Sequence, residues 1–377
     1  MRILFTGGGT GGHIFPIIAI KESFPHGYDF YYVGPDDFAR ENLANPPAGE
    51  AGRGIMTKFI SAGKLRRYFS LQGPIDMLKI LLGIIQSFWH LFFIMPDVIF
   101  SKGGYGSFPV LFVGWIYRIP IVLHESDSAP GLATRTLAKF AKKIILSFEG
   151  SRVYFPKYQE KLVLIGNPIR EELIQGDRNQ GRELFKISSQ KPVILILGGS
   201  QGAQKINETV LSILTRILEL AEVIHISGER NAKIMAQESK KILKYYKGLK
   251  YYYHLYSFLS VDQLKHAYAV ADLIVNRAGA GSIYEIAALG KPSILIPIPN
   301  SAQDHQRKNA HDFAKIGGAV VLEQENLTPN IFLEQISNLL KNPDKLKEMG
   351  EKAKTFYKPN IAEKIRDEII NAIKSKD

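Results

Sequence analysis

The chain has no cysteine in its 377 residues, which rules out disulfides, thiolate metal sites and cysteine nucleophiles and fits a reducing compartment. It has no Gly-Lys-Ser/Thr run, so a P-loop is excluded. Met1 to Thr6 runs straight into glycines with no long apolar stretch or small-residue cleavage site, so export is not expected. Acidic residues are few beside basic ones: 36 Asp and Glu against 48 Lys and Arg, a net charge of +12 and a pI near 9.5. That balance calls for an anionic partner, whether nucleic acid, an anionic membrane or phosphorylated substrates. No charge-free apolar run reaches the ~20 residues of a spanning helix. Ile80 to Met95 comes nearest, opened by Pro74 and closed by Pro96-Asp97. It reads as a helix apolar on most faces, suited to surface association with a membrane rather than to crossing one.

With 45% hydrophobic and 22% charged residues, the chain is a folded protein throughout, and its length predicts two domains. Strand-like and helix-like segments alternate with short connections, the pattern of parallel sheets covered by helices. In the first half the strand candidates are Arg2 to Thr6, Tyr28 to Val33, Val98 to Ser101, Ile121 to His124, Lys143 to Ser147 and Leu162 to Ile165. Gly166-Asn167-Pro168 and the polar run Gln175 to Gly181 break the cycle. It restarts with Pro192 to Leu197, Val223 to Ile226, Leu249 to Tyr253, Leu273 to Val275, Ser293 to Pro297 and Ala319 to Leu322. The prediction is an α/β protein of two Rossmann-like, doubly wound domains facing across a cleft. The domains are residues 1–167 and 168–357, with a last helix at about 358–377 packing back on the first.

Glycine-rich loops follow the strands where phosphate binding needs them. Gly7-Gly8-Gly9-Thr10-Gly11-Gly12-His13 follows the first strand, and Lys102-Gly103-Gly104-Tyr105-Gly106-Ser107 follows a later one. Gly198-Gly199-Ser200-Gln201-Gly202-Ala203 follows the first strand of the second half. Any one of them is a common tight turn, but three in equivalent positions favour an anionic ligand held by backbone N–H groups at helix starts. A fourth site, Asn276 to Glu285, opens a helix with small residues. Ser282 and Glu285 have the spacing of a capping box, and Glu285 equally suits the two hydroxyls of a ribose; the spacing leaves both open. Gln303-Asp304-His305-Gln306 is a polar cluster at a strand's carboxyl end, suited to sugar hydroxyls or to a solvated helix start.

Together these motifs resemble glycosyltransferase family 28, the bacterial enzymes that move N-acetylglucosamine from UDP onto the undecaprenyl-linked muramyl-pentapeptide of peptidoglycan synthesis. The match includes GGTGGH ending at His13, ISAGKLRR from Ile60, GGYGS at 103 to 107 and His124-Glu125. It continues with GNPIR at 166 to 170, GGSQGA at 198 to 203, RAGAGSIYEIA from Arg277 and QDHQ at 303 to 306. The resemblance implies an inverting transferase of the GT-B fold that acts on the 4-hydroxyl of the acceptor sugar. For the donor it implies contacts at Thr10, Gly11, Gly12, Asp127, Arg170, Ser200, Arg277, Glu285, Gln303 and Gln306. The backbone at Gly279, Ala280, Gly281 and Ser282 faces the diphosphate, and uracil lies near Phe258. Gly8, Gly9, Gly103, Gly104 and Tyr105 face the acceptor pyrophosphate. The family usually reads His-Glu-Gln-Asn where this chain has His124-Glu125-Ser126-Asp127.

The reaction needs a base for the acceptor hydroxyl and an anion cradle for departing UDP. His13 is the first candidate base, because the positive end of its helix disfavours imidazolium; His124 and Glu125 are the alternatives. The chain has no Asp-x-Asp pair, the spacing through which metal-assisted sugar transferases commonly hold a divalent ion, so no bound metal and no cofactor are expected. The partners expected are UDP-N-acetylglucosamine, the undecaprenyl-linked lipid I, an anionic membrane at the inner face of the plasma membrane and a cell-wall synthesis complex, with no nucleic acid. Lys64, Arg66 and Arg67, then Lys139, Lys142 and Lys143, are candidates for the membrane face. The rival readings are a UDP-N-acetylglucosamine 2-epimerase-like isomerase, a glycolipid synthase on the same fold and a non-enzymatic sugar-nucleotide sensor.

Overall fold

The computed structural model describes residues 1–8, 11–36, 38–43, 54–63, 72–198 and 203–374. It divides into two compact units, Met1–Ile169 with Pro359–Asp377, and Arg170–Lys358. Unit one contains β1 (Arg2–Thr6), α1 (Gly11–Glu22), β2 (Asp29–Gly34), α2 (Phe38–Leu43), β3 (Met56–Phe59) and α3 (Gly73–Ile94). These are followed by β4 (Val98–Ser101), α4 (Phe108–Ile116), β5 (Ile121–Glu125), α5 (Leu132–Leu137), β6 (Lys143–Leu146) and β7 (Leu162–Leu164). Among the described residues the sheet is parallel throughout, in the order β3-β2-β1-β4-β5-β6-β7. Its central strands are buried on both faces, which is why they read as unbroken apolar runs rather than alternating ones.

Unit two contains α6 (Arg178–Leu184), β8 (Val193–Leu197), α7 (Gln204–Ser212), α8 (Leu214–Leu220), β9 (Glu222–Ile226), α9 (Glu229–Leu243) and β10 (Tyr253–Tyr256). Then come α10 (Val261–Val270), β11 (Leu273–Asn276), α11 (Ala280–Leu289), β12 (Ser293–Leu295), α12 (His305–Lys315), β13 (Ala319–Val321), α13 (Pro329–Leu340) and α14 (Pro343–Phe356). Its parallel sheet has the order β10-β9-β8-β11-β12-β13. Ile194, Ile196, Val223, Leu273 and Val275 pack with α7, α8 and α13 in its core. The last helix, α15 (Ile361–Lys374), belongs to unit one. There Arg366 Nη1 donates to Ser23 O (2.7 Å) and Lys142 Nζ to Ala372 O (3.2 Å).

Both sheets reverse direction beside their first strand, with β1 between β2 and β4 and β8 between β9 and β11. In open α/β sheets ligands bind beyond the carboxyl ends of the strands at such a switch point. The four glycine-rich segments are the four loops that leave these strands.

Three local readings change. The strand expected at Leu249–Tyr253 begins only at Tyr253, with a 3-10 turn over Leu249–Tyr252. As an edge strand it pairs only along β9, Tyr253 to Tyr256 opposite Val223 to Ile226, so the residues before it satisfy their backbone in a turn. Strand β3 was not anticipated, because a four-residue, half-exposed edge strand carries little apolar signal. The polar run Gln175 to Gly181 includes the start of α6, where the Asp177 carboxylate accepts from Gln180 N (2.7 Å).

Helix α3 is longer than the apolar stretch that announced it, at 22 residues, long and apolar enough by length and composition to cross a membrane. It buries only a narrow stripe, Ile80, Gly83, Ser87, Leu91 and Ile94. The close approach needs glycine at 83, where a Cβ would stand 2.1 Å from Ser61 O. Its carboxyl end is tied to the sheet: Arg2 Nη1 donates to Ile94 O (2.8 Å), and Asp97 N to Arg2 O (2.9 Å). The helix therefore lies along unit one, with Ile85, Trp89, Phe92 and Phe93 more than half exposed. Trp89 and Phe93 pack edge to face with ring centroids 4.9 Å apart. An apolar groove of about 630 Å³ runs beside them against Tyr117.

Candidate active site

In unit one the loops after β1 and β4 pack directly on each other. Tyr32 Oη donates to Gly7 O (2.6 Å). A Cβ on Gly8 would come within 2.7 Å of Pro35 Cγ, and one on Gly106 within 2.4 Å of Pro35 Cδ. Gly103 and Gly104 have φ of +72° and +85°, a backbone that side-chain-bearing residues rarely adopt. A Cβ on Gly104 would lie 3.3 Å from Gly8 O and 3.6 Å from His13 Nε2. His13 thus sits in the first turn of α1 at the seam between the two loops, half-buried, with Gly11 half-buried and Gly12 exposed beside it. Tyr105 follows in a 3-10 turn, half-buried. Gly9 and Thr10 lie outside the described residues.

Behind these loops the end of β5 forms a charged, buried cluster. Lys102 Nζ lies 2.8 Å from His124 Nδ1, 2.5 Å from Ser126 Oγ and 3.0 Å from Asn167 Oδ1. With Nδ1 accepting from the lysine, His124 carries its proton on Nε2, which faces Gly166 O (3.0 Å) and Ser147 Oγ (3.1 Å). The ring is wholly buried, and burial first, then the Lys102 charge, pushes its pKa well below the usual imidazole value. His124 therefore has no nitrogen available to take a proton from a substrate; it locates other groups. Glu125 is also buried and accepts from Asp127 N (2.9 Å). Its pKa is raised to about 7, by burial first and by the Asp127 charge second. A carboxyl that titrates near neutrality suits proton transfer. Asp127 is half-buried at the mouth of this turn.

In unit two the fourth site is the amino-terminal end of α11. Gly279 is its N-cap, and a Cβ there would meet nothing within 4 Å, so the helix start is open to a ligand. Ala280 is buried, while Gly281 and Ser282 are half-buried. The capping box does not form, because α11 starts earlier than that spacing implies: Gly279 is the N-cap, so Ser282 and Glu285 both lie within the helix. Its Oε1 accepts from Arg170 Nη2 (3.1 Å) and its Oε2 from Tyr268 Oη (3.0 Å). Arg277 is buried; Nη1 donates to Ile296 O (3.0 Å) and Nη2 to Gln324 Oε1 (2.7 Å), while its buried Nε finds no partner. Burial pushes this guanidinium down to about 10. Gln303 and Asp304 hold left-handed backbone, φ +58° and +57°, of the kind that persists at functional sites. Gln306 Oε1 accepts from Ile298 N (3.1 Å), which fixes the start of that loop. Phe258 is 67% exposed, two residues before the Ser260 cap of α10. Ser200 and the loop around it, 199–202, lie outside the described residues, as do Lys64, Arg66 and Arg67.

Residues 3–146 match the model of the glycosyltransferase family 28 N-terminal domain, and residues 193–365 match that of its C-terminal domain. The chain belongs to glycosyltransferase family 28. Among family relatives, it is 38% identical over 367 residues to the UDP-N-acetylglucosamine--N-acetylmuramyl-(pentapeptide) pyrophosphoryl-undecaprenol N-acetylglucosamine transferase of Legionella pneumophila strain Paris, covering 96% of this chain and 94% of that one. It is 36% identical to transferase 2 of the same name from Bacillus cereus strain ATCC 14579, covering 92% and 93%. Among solved structures the family fold matches Acinetobacter baumannii MurG with a TM-score of 0.75 at 24% identity, covering 98% of this chain and 99% of that one. The UDP-GlcNAc 2-epimerase of Neisseria meningitidis has a TM-score of 0.69 at 13% identity, covering 98% and 100%. Both structures show a shared architecture of two Rossmann-like domains, the GT-B fold.

The structure groups the predicted residues by unit. His13, Gly8, Gly103, Gly104, Tyr105, Glu125 and Asp127 fall in unit one; Arg170, Arg277, Gly279 to Ser282, Glu285, Gln303, Gln306 and Phe258 fall in unit two. Sequence reading missed Lys102, Asn167 and Tyr268. A lysine closing the apolar run Val98 to Ser101 was the available signal for Lys102. Nothing local marks Tyr268, which becomes Glu285's partner only when the fold brings its hydroxyl to the carboxylate.

Proposed function

We propose that this family 28 chain transfers N-acetylglucosamine from UDP-N-acetylglucosamine to the 4-hydroxyl of undecaprenyl-pyrophosphoryl-N-acetylmuramyl-pentapeptide, inverting the anomeric centre and converting lipid I to lipid II. The observation that carries it is the placement of glycine-rich loops at both topological switch points in a chain matched along 96% of its length by transferases of that name. The epimerase likeness is one of fold alone, at 13% identity.

Unit two supplies the donor site. The open α11 start, with the unsatisfied Arg277 Nε, takes the UDP diphosphate and stabilises its growing charge as the sugar leaves. Glu285, oriented by Arg170 and Tyr268, receives the ribose hydroxyls on its remaining lone pairs. Gln303 and Gln306 read the sugar, and Phe258 lies by the uracil. Unit one supplies the acceptor site, with N–H groups of the paired glycine loops facing the lipid pyrophosphate. His13 removes the proton from the attacking hydroxyl. The decisive assay is transfer to a short-chain analogue of the muramyl lipid. UDP-N-acetylglucosamine is expected to be consumed at least tenfold faster than other UDP sugars, and equal use of all of them would refute this reading.

Among the described residues no group of three or more His, Asp or Glu is placed to hold a metal ion. The charge of the departing diphosphate is met by the helix end and the buried arginine. EDTA is expected to leave most of the activity, and a complete loss restored by Mn²⁺ would refute this.

The enzyme works as a peripheral protein at the cytoplasmic face of the plasma membrane, where its lipid acceptor is found. Support comes from the exposed face of α3 and from Lys139, which flanks Phe140 (4.7 Å) beside the half-exposed Trp115. A large apolar side chain gives about 1.5–3 kcal/mol on full burial, so half-burying two of them gives about 1.5–3 kcal/mol in all. Trp89→Ser with Phe93→Ser should therefore weaken sedimentation with anionic vesicles by about 10–100-fold and leave kcat on a soluble acceptor analogue unchanged. Unaltered vesicle binding would place the contact elsewhere.

A further inference from the structure

Lys102 has no part in the scheme above, yet few side chains in unit one are more committed. It is 3% exposed, at the carboxyl end of β4. Four segments meet there. Lys102 N donates to Thr6 O at the end of β1 (2.9 Å), and a Cβ on Gly7 would lie 3.2 Å from Lys102 Cβ. Its Nζ reaches His124 near the end of β5, Ser126 just beyond that strand, and Asn167 beyond β7.

An ammonium has three protons and no lone pair, and here it meets three acceptors. Burying that charge is costly unless opposite charge stands close by. The charged groups acting on it are the carboxylates of Glu125 and Asp127, and His124 is the titratable group in contact with it. Burial pushes the lysine down to about 7, with Glu125 and then Asp127 opposing that fall. Since Glu125 is itself driven toward its neutral form, Asp127 is the carboxylate left to balance the lysine.

We propose that Lys102 is a positioning residue for acceptor binding: its buried ammonium locks the 124–127 turn against the glycine loops and balances the Asp127 carboxylate at the mouth of the site. This rests on the assignment of unit one to the acceptor. Lys102 touches no substrate; it acts through the turn. Asp127 can then stand as a charged acceptor of hydrogen bonds where the family usually has an uncharged amide.

The test is a cycle of Lys102→Gln, Asp127→Asn and the double variant, read first by thermal unfolding and then by kinetics. Lys102→Gln keeps a neutral donor but removes the charge, so it should unfold at lower temperature than wild type and lose at least tenfold in kcat/KM for the acceptor. The double variant should regain part of both losses, while the donor KM stays within about twofold in Lys102→Gln. Additive effects in the unfolding cycle overturn the charge balance whatever the enzyme's substrate. If unfolding couples but the acceptor kcat/KM does not change, the lysine is structural only and the inference fails. Should Lys102→Gln not fold while the double variant does, the recovery supports the proposal; if neither folds, Asp127→Asn alone decides. Removing that carboxylate takes away a charge that holds Lys102 up, so the basic limb of the acceptor kcat/KM–pH profile, where Lys102 loses its proton, should move to lower pH. A profile that does not move overturns the proposal. Wild-type protein without transfer activity would refute the assigned function separately, because the unfolding cycle does not depend on it.

Discussion

His13→Ala should lower kcat by about 10²–10⁴-fold, the usual contribution of a positioned general base, with the KM for UDP-N-acetylglucosamine little changed. The imidazole lies at the seam where the loops after β1 and β4 meet, its Nε2 3.6 Å from where Gly104 would carry a Cβ. A proton acceptor there stands beside the loops proposed to face the acceptor pyrophosphate. Of the two alternative bases, His124 is wholly buried with both nitrogens occupied, while Glu125 keeps a suitable pKa and is buried. Glu125→Gln is therefore the necessary comparison. Single-turnover measurement with a soluble acceptor analogue separates chemistry from product release. If His13→Ala stays within tenfold of wild type and Glu125→Gln does not, the base is the carboxylate.

Glu285→Ala is expected to have the second largest effect, on the donor side. Its carboxylate holds Arg170 (3.1 Å) and Tyr268 (3.0 Å) in a pocket where the ion pair is only 15–19% exposed. Deleting it removes the ribose acceptor and leaves a largely buried guanidinium without its counter-charge. Breaking such a buried pair typically costs about 3–5 kcal/mol, and part of that energy is reclaimed here by solvent. A fall in UDP affinity of about 10²-fold, with a comparable fall in kcat/KM for the donor, is the expected result by calorimetry and steady-state kinetics. Glu285→Gln keeps an acceptor for Tyr268 and should lie between the two. An affinity for UDP within threefold of wild type in Glu285→Ala would remove Glu285 from the donor site.

The motifs were legible because phosphate-binding backbone has a local signature: glycines between a strand and a helix can be read without knowing where either element goes. The strands of buried parallel sheets were legible for a related reason, since burial on both faces demands unbroken apolar runs. Edge strands were read less well. The start of β10 depends on how far β9 offers hydrogen bonds, and β3 is too short and too exposed to announce itself. Ser282 and Glu285 show the limit at the site. Their spacing fits a capping box, but α11 starts at Ala280 with Gly279 as its cap, and the partners Glu285 does have, Arg170 and Tyr268, reach it only through the fold.

The sequence by itself determined that this is a tandem α/β protein of family 28, with four small-residue loops at strand ends, a histidine at the first of them and an apolar helix over Ile80 to Met95. Those properties depend on neighbours along the chain, where period, glycine and charge act over a few residues. Only the tertiary structure decided which candidate groups are available for chemistry. His124 is consumed by Lys102 and Gly166, Glu285 is oriented by Arg170 and Tyr268, and the apolar stripe of α3 leaves its aromatic side uncovered. Hydrogen bonds and desolvation act across space between residues far apart in sequence, so a residue's capacity to react is set by what the fold places against it.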